Sequence, residues 1–325
     1  MSTRRNWLHP VATLCVAVIS SAAIAAYPDK AVTMIVPFAP GGSSDIIGRS
    51  LGQPLAERLG QPVVIENVGG AGGTIGTTKA VRAKPDGYTV LLGSGSEILI
   101  NKIINPKTPY DATKDLTPLA FIGTGPMVLV AKNSLPANNV AEVLALARAK
   151  PDSLSYASAG NGTPMHVAGE LLKIRGKVSM VHVPYKGAAP ALTDLVGGQI
   201  DLAVSTLSAA LPHIKAGKVK AIAVTTAKRT ELAPDIPAIA ETKGLEGFDL
   251  GVWFGLFAPA GTPPDVNQKL AADTQAALKD PALRKRLAEV GIATSGASGD
   301  ALEKFMVGET ETYRKVVETA KIVAD

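Results

Sequence analysis

The sequence predicts an α/β protein of two domains, each a mainly parallel sheet flanked by helices. Three observations carry that prediction. Short runs of β-branched residues alternate with stretches whose apolar positions recur every three to four residues, an alternation that demands crossover connections. The strands run into loops rich in glycine and hydroxyl groups before the next helix, and one such junction at residues 32–45 returns near residue 160. With an N-terminal export segment set aside, about 300 of the 325 residues remain, too many for one small core and a fit for two.

The export segment is read from residues 1–25. Arg4 and Arg5 precede an apolar run from Val11 to Ile24, closed by Ala23-Ile24-Ala25, the small-x-small pattern of signal-peptide cleavage. The run is shorter than the roughly 20 apolar residues of a spanning helix, so cleavage near Ala25 is expected. Cys15, the single cysteine, lies inside that run after Ala12-Thr13-Leu14, a poor lipoprotein signal. The mature chain then has no cysteine and must hold by its core alone. Losing Arg4 and Arg5 takes Lys+Arg from 33 to 31 against 28 Asp+Glu, a net charge of +3. So small an excess, with no basic run, argues against nucleic-acid binding.

The opening junction reads V-T-M-I-V-P-F-A-P-G-G-S-S-D, residues 32–45. A strand is cut by Pro37, passes through Pro40-Gly41-Gly42 and enters a helix at Ser43, Ser44 and Asp45. First-turn amides of a helix have no partner inside it, so this junction can hold a carboxylate or phosphate; it can equally be a plain βα turn with a capping side chain. Ile47, Leu51, Leu55 and Leu59 form one apolar helix face that stops at Gly60. Pro62 to Glu66 is a strand leading to a second glycine-rich turn. There Gly70-Ala71-Gly72-Gly73-Thr74-Ile75 places Ile where the third glycine of a dinucleotide fingerprint belongs, and no G-x-x-x-x-G-K-[ST] occurs, so nucleotide binding is disfavoured. A helix from Thr74 to Ala83 and a strand from Tyr88 to Leu92 end at Gly93-Ser94-Gly95-Ser96-Glu97. Ser94 or Ser96 can bind ligand or simply form the turn. In open α/β sheets ligands lie beyond the carboxyl ends of the strands, where these three loops converge.

Leu119–Gly123 and Met127–Ala131 read as two strands separated by Gly-Thr-Gly-Pro, the first crossing between domains. A helix capped by Asn138 or Asn139 runs through Lys150, and Leu154–Ala157 is a strand. Ser158-Ala-Gly160-Asn161-Gly162-Thr163-Pro-Met-His166 then repeats the opening junction, with Thr163 as N-cap and Pro164 as first helical residue. His166 reads as a hydrogen-bonding residue rather than a catalyst, because neither a nucleophile elbow nor a metal-ligand spacing accompanies His166, His182 and His213. Tyr185 and Lys186 follow a strand and can face an anionic ligand or anchor their loop. Asp201–Val204 is a strand running into Ser205, and Val219–Thr225 another. Trp253–Ala258 is the second crossing. Three helical patterns, 265–279, 281–290 and 300–322, finish the chain, with at most a strand at Ala293-Thr294. They are expected to return to the first domain, giving 26–127 plus 253–325 as one domain and 128–252 as the other.

The segments V-P-F-A-P-G-G-S-S-D, N-V-G-G-A-G-G-T-I-G, K-P-D-G-Y-T-V-L-L-G, S-A-G-N-G-T-P-M-H-V-A-G-E, V-P-Y-K-G, L-P-H-I-K-A-G-K-V-K-A-I-A-V-T and W-F-G-L-F-A-P-A-G-T-P occur in that order over the mature chain. Together they resemble the Bug receptors, the periplasmic solute-binding proteins of tripartite tricarboxylate transporters. The resemblance implies a Venus-flytrap fold with two crossing strands and a periplasmic monomer. It also implies capture of a small carboxylate in the cleft, through backbone amides and water, for delivery to the membrane components of such a transporter. No cofactor and no metal are expected. Carried onto this sequence, it implies a first-domain loop Phe38–Asp45 including Ser43 and Ser44, with Ser94 beside it. The second-domain site is Ser158–Thr163, with His166 in its helix. Tyr185, Lys186 and Ser205 complete the expected ligand set. The chain departs from the commonest pattern at Ser44-Asp45, where many members have Thr-Asp, and at Val204-Ser205-Thr206-Leu207 in place of an F-D-N-like segment. The Ser158–Thr163 loop is expected to be the primary anchor and Phe38–Asp45 the closing latch. An exported α/β enzyme acting on small organic acids through His166 or Asp45 is the alternative.

Overall fold

The computed structural model describes residues 27–322, so the export segment expected at 1–25 lies outside the described residues. The strands are β1 (Val32–Val36), β2 (Val63–Asn67), β3 (Thr89–Ser94), β4 (Leu116–Lys132), β5 (Ser155–Ser158), β6 (Val181–Pro184), β7 (Leu202–Thr206), β8 (Val219–Val224), β9 (Gly251–Pro259) and β10 (Ala293–Ser298). Between and after them come α1 (Ser43–Leu59), α2 (Thr74–Val81), α3 (Asn101–Ile104), α4 (Ala112–Asp115), α5 (Val140–Ala149), α6 (Pro164–Gly176), α7 (Ala188–Val196), α8 (Leu207–Lys215), α9 (Pro264–Leu278), α10 (Pro281–Glu289) and α11 (Gly299–Ala320).

The strand order is β2-β1-β3-β9-β4-β7-β5-β6, with β8 and β10 also paired to β4. At each flank the pairing is parallel: β1 lies between β2 and β3, and β5 between β6 and β7. Around β4 and β9 it is antiparallel, because the chain there passes between the halves instead of winding over a helix. β4 is one unbroken strand of 17 residues where two were expected. Register shifts at Pro118/Ala120 and Phe121/Gly123 absorb a proline and a glycine as bulges, so these residues bend the strand without ending it. The Gly-Thr-Gly-Pro segment marks a change of partner instead. Up to Pro126 the strand pairs with β9, and from Met127 with β7 and β8.

Each helix buries the stripe its sequence spacing offers. Ile47, Leu51, Leu55 and Leu59 of α1 are all buried, and the helix ends on Gly60 at φ 69°, a left-handed cap. The larger core runs from β1 and α1 through Trp253, Phe254 and Phe257 of β9 into α5 and α6. A second core gathers Val128, Val130, Leu192, Leu195 and Leu207 under α7 and α8. At the C-terminus α9 and α10 pack on α1, β10 pairs with β4, and α11 lies along β4 and reaches α6. The carboxyl ends of β1, β2 and β3 therefore face those of β5, β6 and β7 across a cleft.

Candidate ligand-binding site

The cleft holds a small cavity of about 30 Å³, lined from the first half by Phe38, Gly42, Ser43, Ser44, Ser94 and Ser96. Ala159, Thr163, Pro164, Met165 and Ala188 line it from the second half, with Val252 and Phe254 from β9. No charged side chain is among them.

The first-half wall is the β1–α1 junction. Gly42 is the N-cap and carries no side-chain cap, so the first-turn amides of Ser43 and Ser44 have no acceptor inside the helix. The two hydroxyls, on side chains 7% and 5% exposed, bond to nothing among the described residues. Asp45 does not line the cavity. Its carboxylate takes the Gly41 N–H at 2.9 Å and pairs with Arg49 at 2.9 Å. Burial pushes this carboxyl's pKa up, but Arg49, Gly41 and Asn67 outweigh burial and hold it below the usual range. Arg49 also donates to Asn67, and Asn67 donates to the Phe38 carbonyl. Asp45, Arg49 and Asn67 are thus the brace that fixes the loop from behind. Of Ser94 and Ser96, Ser94 Oγ lies 2.9 Å from Glu97 Oε2, while Ser96 shares its proton between the carbonyls of Gly72 at 2.7 Å and Gly162 at 3.1 Å.

Much of the second-half junction is bonded within itself. Thr163 caps α6 by accepting from the His166 N–H at 3.3 Å, and its hydroxyl donates to Gly160 O at 2.7 Å. Pro164 has no N–H to offer. Gly162 N–H goes to His166 Nδ1 at 3.3 Å, and Gly160 N–H to Ser158 Oγ at 3.2 Å. Ser158 is fully buried and its Oγ lies 2.7 Å from His182 Nε2. That is the pairing of a nucleophilic dyad, yet Ser158 is not in the cavity wall and a substrate cannot reach it. His182 stacks on His166 at 4.0 Å between ring centres and on Tyr156 at 4.9 Å. Burial, then the neighbouring His166 and Lys173, pull its pKa down to about 3, so it is a neutral acceptor or donor for Ser158.

Of the residues singled out in the sequence, Phe38, Ser43, Ser44, Ser94, Ser96 and Thr163 line the cavity. Ser158, Gly160, Gly162 and His166 stand behind that wall, bonded to one another. Asn161 faces a separate groove beside Asn101. Tyr185 donates its hydroxyl to Asp194 at 2.7 Å, and Lys186 contributes its carbonyl, which accepts the Ala39 N–H at 3.3 Å across the cleft. Ser205 is buried on β7 away from the cavity, its Oγ without a partner. Met165, Ala188, Val252 and Phe254 were not foreseen. They are apolar residues at loop ends, and in sequence they look like any core position.

The halves touch at this site. Besides Ser96 to Gly162 and Ala39 to Lys186, Gly72 sits against Asn161. A Cβ there would come 2.3 Å from the Asn161 carbonyl, and its φ of 58° favours glycine. Glycines of the second glycine-rich turn thus serve close backbone approach. Among the described residues no group of His, Cys, Asp or Glu gathers that could hold a metal ion.

The comparisons with known proteins agree with this architecture. A structure of periplasmic binding protein BugD is 36% identical, covers 92% of this chain and 100% of that one, and superposes with a TM-score of 0.88. A protein of R. palustris with adipate is 34% identical over 91% of this chain and 99% of its own, TM-score 0.88. MatC from Rhodopseudomonas palustris with bound malate is 35% identical over 90% and 100%, TM-score 0.85. Residues 47–322 match the family described as tripartite tricarboxylate transporter family receptor. The chain belongs to that family and is a solute-binding receptor of the Bug type, not an enzyme.

Proposed function

We propose that the chain captures a small organic carboxylate between its halves and presents it to the membrane components of a tripartite tricarboxylate-type transporter. The observation that carries the reading is the pair of buried, unpartnered hydroxyls of Ser43 and Ser44 beside open helix amides, facing a cavity without charged side chains. Such a helix N-terminus receives a carboxylate without needing a cation. Met165, Val252 and Phe254 give the ligand's carbon skeleton an apolar bed. The adipate and malate found with similar receptors fit this chemistry. Residues 26–127 with 253–325 form one domain and 128–252 the other in this reading, hinged where β4 changes partner. The protein is a periplasmic monomer released by cleavage near Ala25.

The test is calorimetry and thermal shift of the mature protein against a carboxylate panel including adipate and malate, with mass spectrometry of the recovered ligand. A ligand at 100 times its Kd should stabilise the fold by about 2.7 kcal/mol and come back unchanged. No stabilisation by any acid of the panel, or conversion of the ligand, would falsify the proposal.

A further inference from the structure

Glu97 is 1% exposed, deeper than any other carboxylate of the described residues, and the ligand-binding reading gives it no task. It follows β3 directly, in a single wide helical turn (Ser96–Ile100), and its carboxyl doubles back on Ser94. Oε1 accepts the Ser94 N–H, and Oε2 lies 2.9 Å from Ser94 Oγ, while Ser94 itself lines the ligand cavity. Gly73 leaves room on the other side: a Cβ there would lie 3.1 Å from Glu97 Oε2 and 3.3 Å from the Phe38 ring. The carboxyl is therefore one layer behind the cavity wall, with Phe38 and Ser94 between it and the ligand.

No lysine, arginine or histidine among the described residues forms an ion pair with Glu97. The titratable groups that face it are Tyr110, whose hydroxyl donates to the Glu97 backbone carbonyl, and Tyr313 of α11, with Glu309 behind. Lys102 of α3 turns away to the carbonyls of Pro106 and Thr108. A carboxyl so enclosed and without a cation takes the neutral form, and burial, against the Ser94 bonds that favour ionisation, pushes its pKa up to about 8.

We propose that Glu97 is a proton-bearing positioning residue for the ligand site: its O–H donates to Ser94 Oγ and turns the Ser94 proton toward the bound carboxylate. A hydroxyl has one proton to give. If Glu97 is ionised, Ser94 must donate backwards to it, and a negative charge stands behind a site for anions. If Glu97 is protonated, Ser94 accepts from behind and donates forwards. The neutral acid thus adds a third hydroxyl to Ser43 and Ser44 and removes a repulsive charge. Deprotonation withdraws both together, so ligand binding is coupled to retention of one proton. This inference rests on the carboxylate-binding reading.

The experiment is calorimetry of the whole mature protein with adipate and with malate from pH 6.5 to 9.5, alongside infrared spectra of the protonated carboxyl band. Wild type should lose affinity above about pH 8, approaching tenfold per pH unit as one linked proton requires. Glu97→Gln should keep the neutral-pH affinity within about threefold, since its amide N–H donates to Ser94 as the acid does, and should bind with a flat pH profile. The protonated band present at pH 7 should vanish in that variant. A wild-type profile flat to pH 9.5, an equal slope in Glu97→Gln, or an infrared band showing Glu97 ionised at pH 7 would each overturn the role of Glu97. Failure of every acid tested to bind even at pH 6.5 would instead overturn the ligand reading, and the role of Ser94 with it.

Discussion

The strand–loop–helix junction at Val36–Asp45 and the one at Ser158–His166 are built from similar sequence, yet they end in opposite chemical states. In the first, a glycine caps the helix, the serines that follow have no protein partner, and Asp45 with Arg49 braces the loop from outside. In the second, a threonine caps, a proline follows, and the amides of Gly160, Gly162 and His166 go to Ser158, His166 and Thr163, with Ser158 in turn closed on His182. Donors already satisfied have nothing left for a ligand. We therefore propose the reverse of the expected division of labour, with Phe38–Asp45 as the anchor and Ser158–Thr163 as the opposing wall. The first junction offers the donors, and the second supplies a rigid wall with Met165 on it.

The comparison can be broken most directly by replacing Ser43 and Ser44 with alanine. Hydrogen bonds to a charged group are worth roughly 1.5–3 kcal/mol, so carboxylate affinity should fall about 10- to 100-fold or more. Stability should hardly change, because neither serine caps α1. Unchanged affinity in calorimetry would mean that the second junction is the anchor after all.

Opposite pH signatures sharpen the contrast. Glu97, on the first half, has its pKa raised from 4.5 to about 8, so its contribution to stability is complete below 4.5 and is lost as pH rises through 8. His182, on the second half, has its pKa lowered from 6.5 to about 3, so its contribution is present above 6.5 and is lost as pH falls towards 3. Each slope can reach about 1.4 kcal/mol per pH unit. Denaturant titrations should show Glu97→Gln flattening the decline between pH 4.5 and about 8, and His182→Gln flattening the decline from pH 6.5 down to about 3. A variant that flattens the wrong limb refutes the assignment.

A smaller effect is expected of Thr163→Ala. Loss of the α6 cap should cost about 1 kcal/mol of unfolding free energy, with less loss of affinity than the serine pair shows. The reverse ranking would restore the anchoring role to this loop. Smallest is Ser96→Ala, which deletes a hydrogen bond between the halves worth roughly 0.5–1.5 kcal/mol. Small-angle scattering should find the ligand-free variant more open than wild type. An identical profile would show that Ser96 does not hold the halves together.

Periodicity made most of the fold legible. Ile47 to Leu59 at every fourth position, Thr163-Pro164 at a helix start and Gly60 at a helix end are local signals, and each sits where such signals put it. The site was less legible. Ser43, Ser44, Ser94 and Thr163 could be named because hydroxyls beside glycines stand out. Val252 and Phe254 could not, since one strand carries them as it carries its core residues, and only the meeting of two halves leaves those two facing a space.

The sequence by itself determined the elements, their alternation, and the places where helix amides would be exposed beyond strand ends, because all of these follow from contacts within a few residues. Only the tertiary structure decided which of those places remained open. Whether a serine faces a cavity or a carboxyl, and whether a buried acid meets a cation or none, depends on residues far apart in the chain. Glu97 stands three residues from Ser94, but its neutrality is set by the enclosure that Tyr110, Tyr313 and Gly73 build around it.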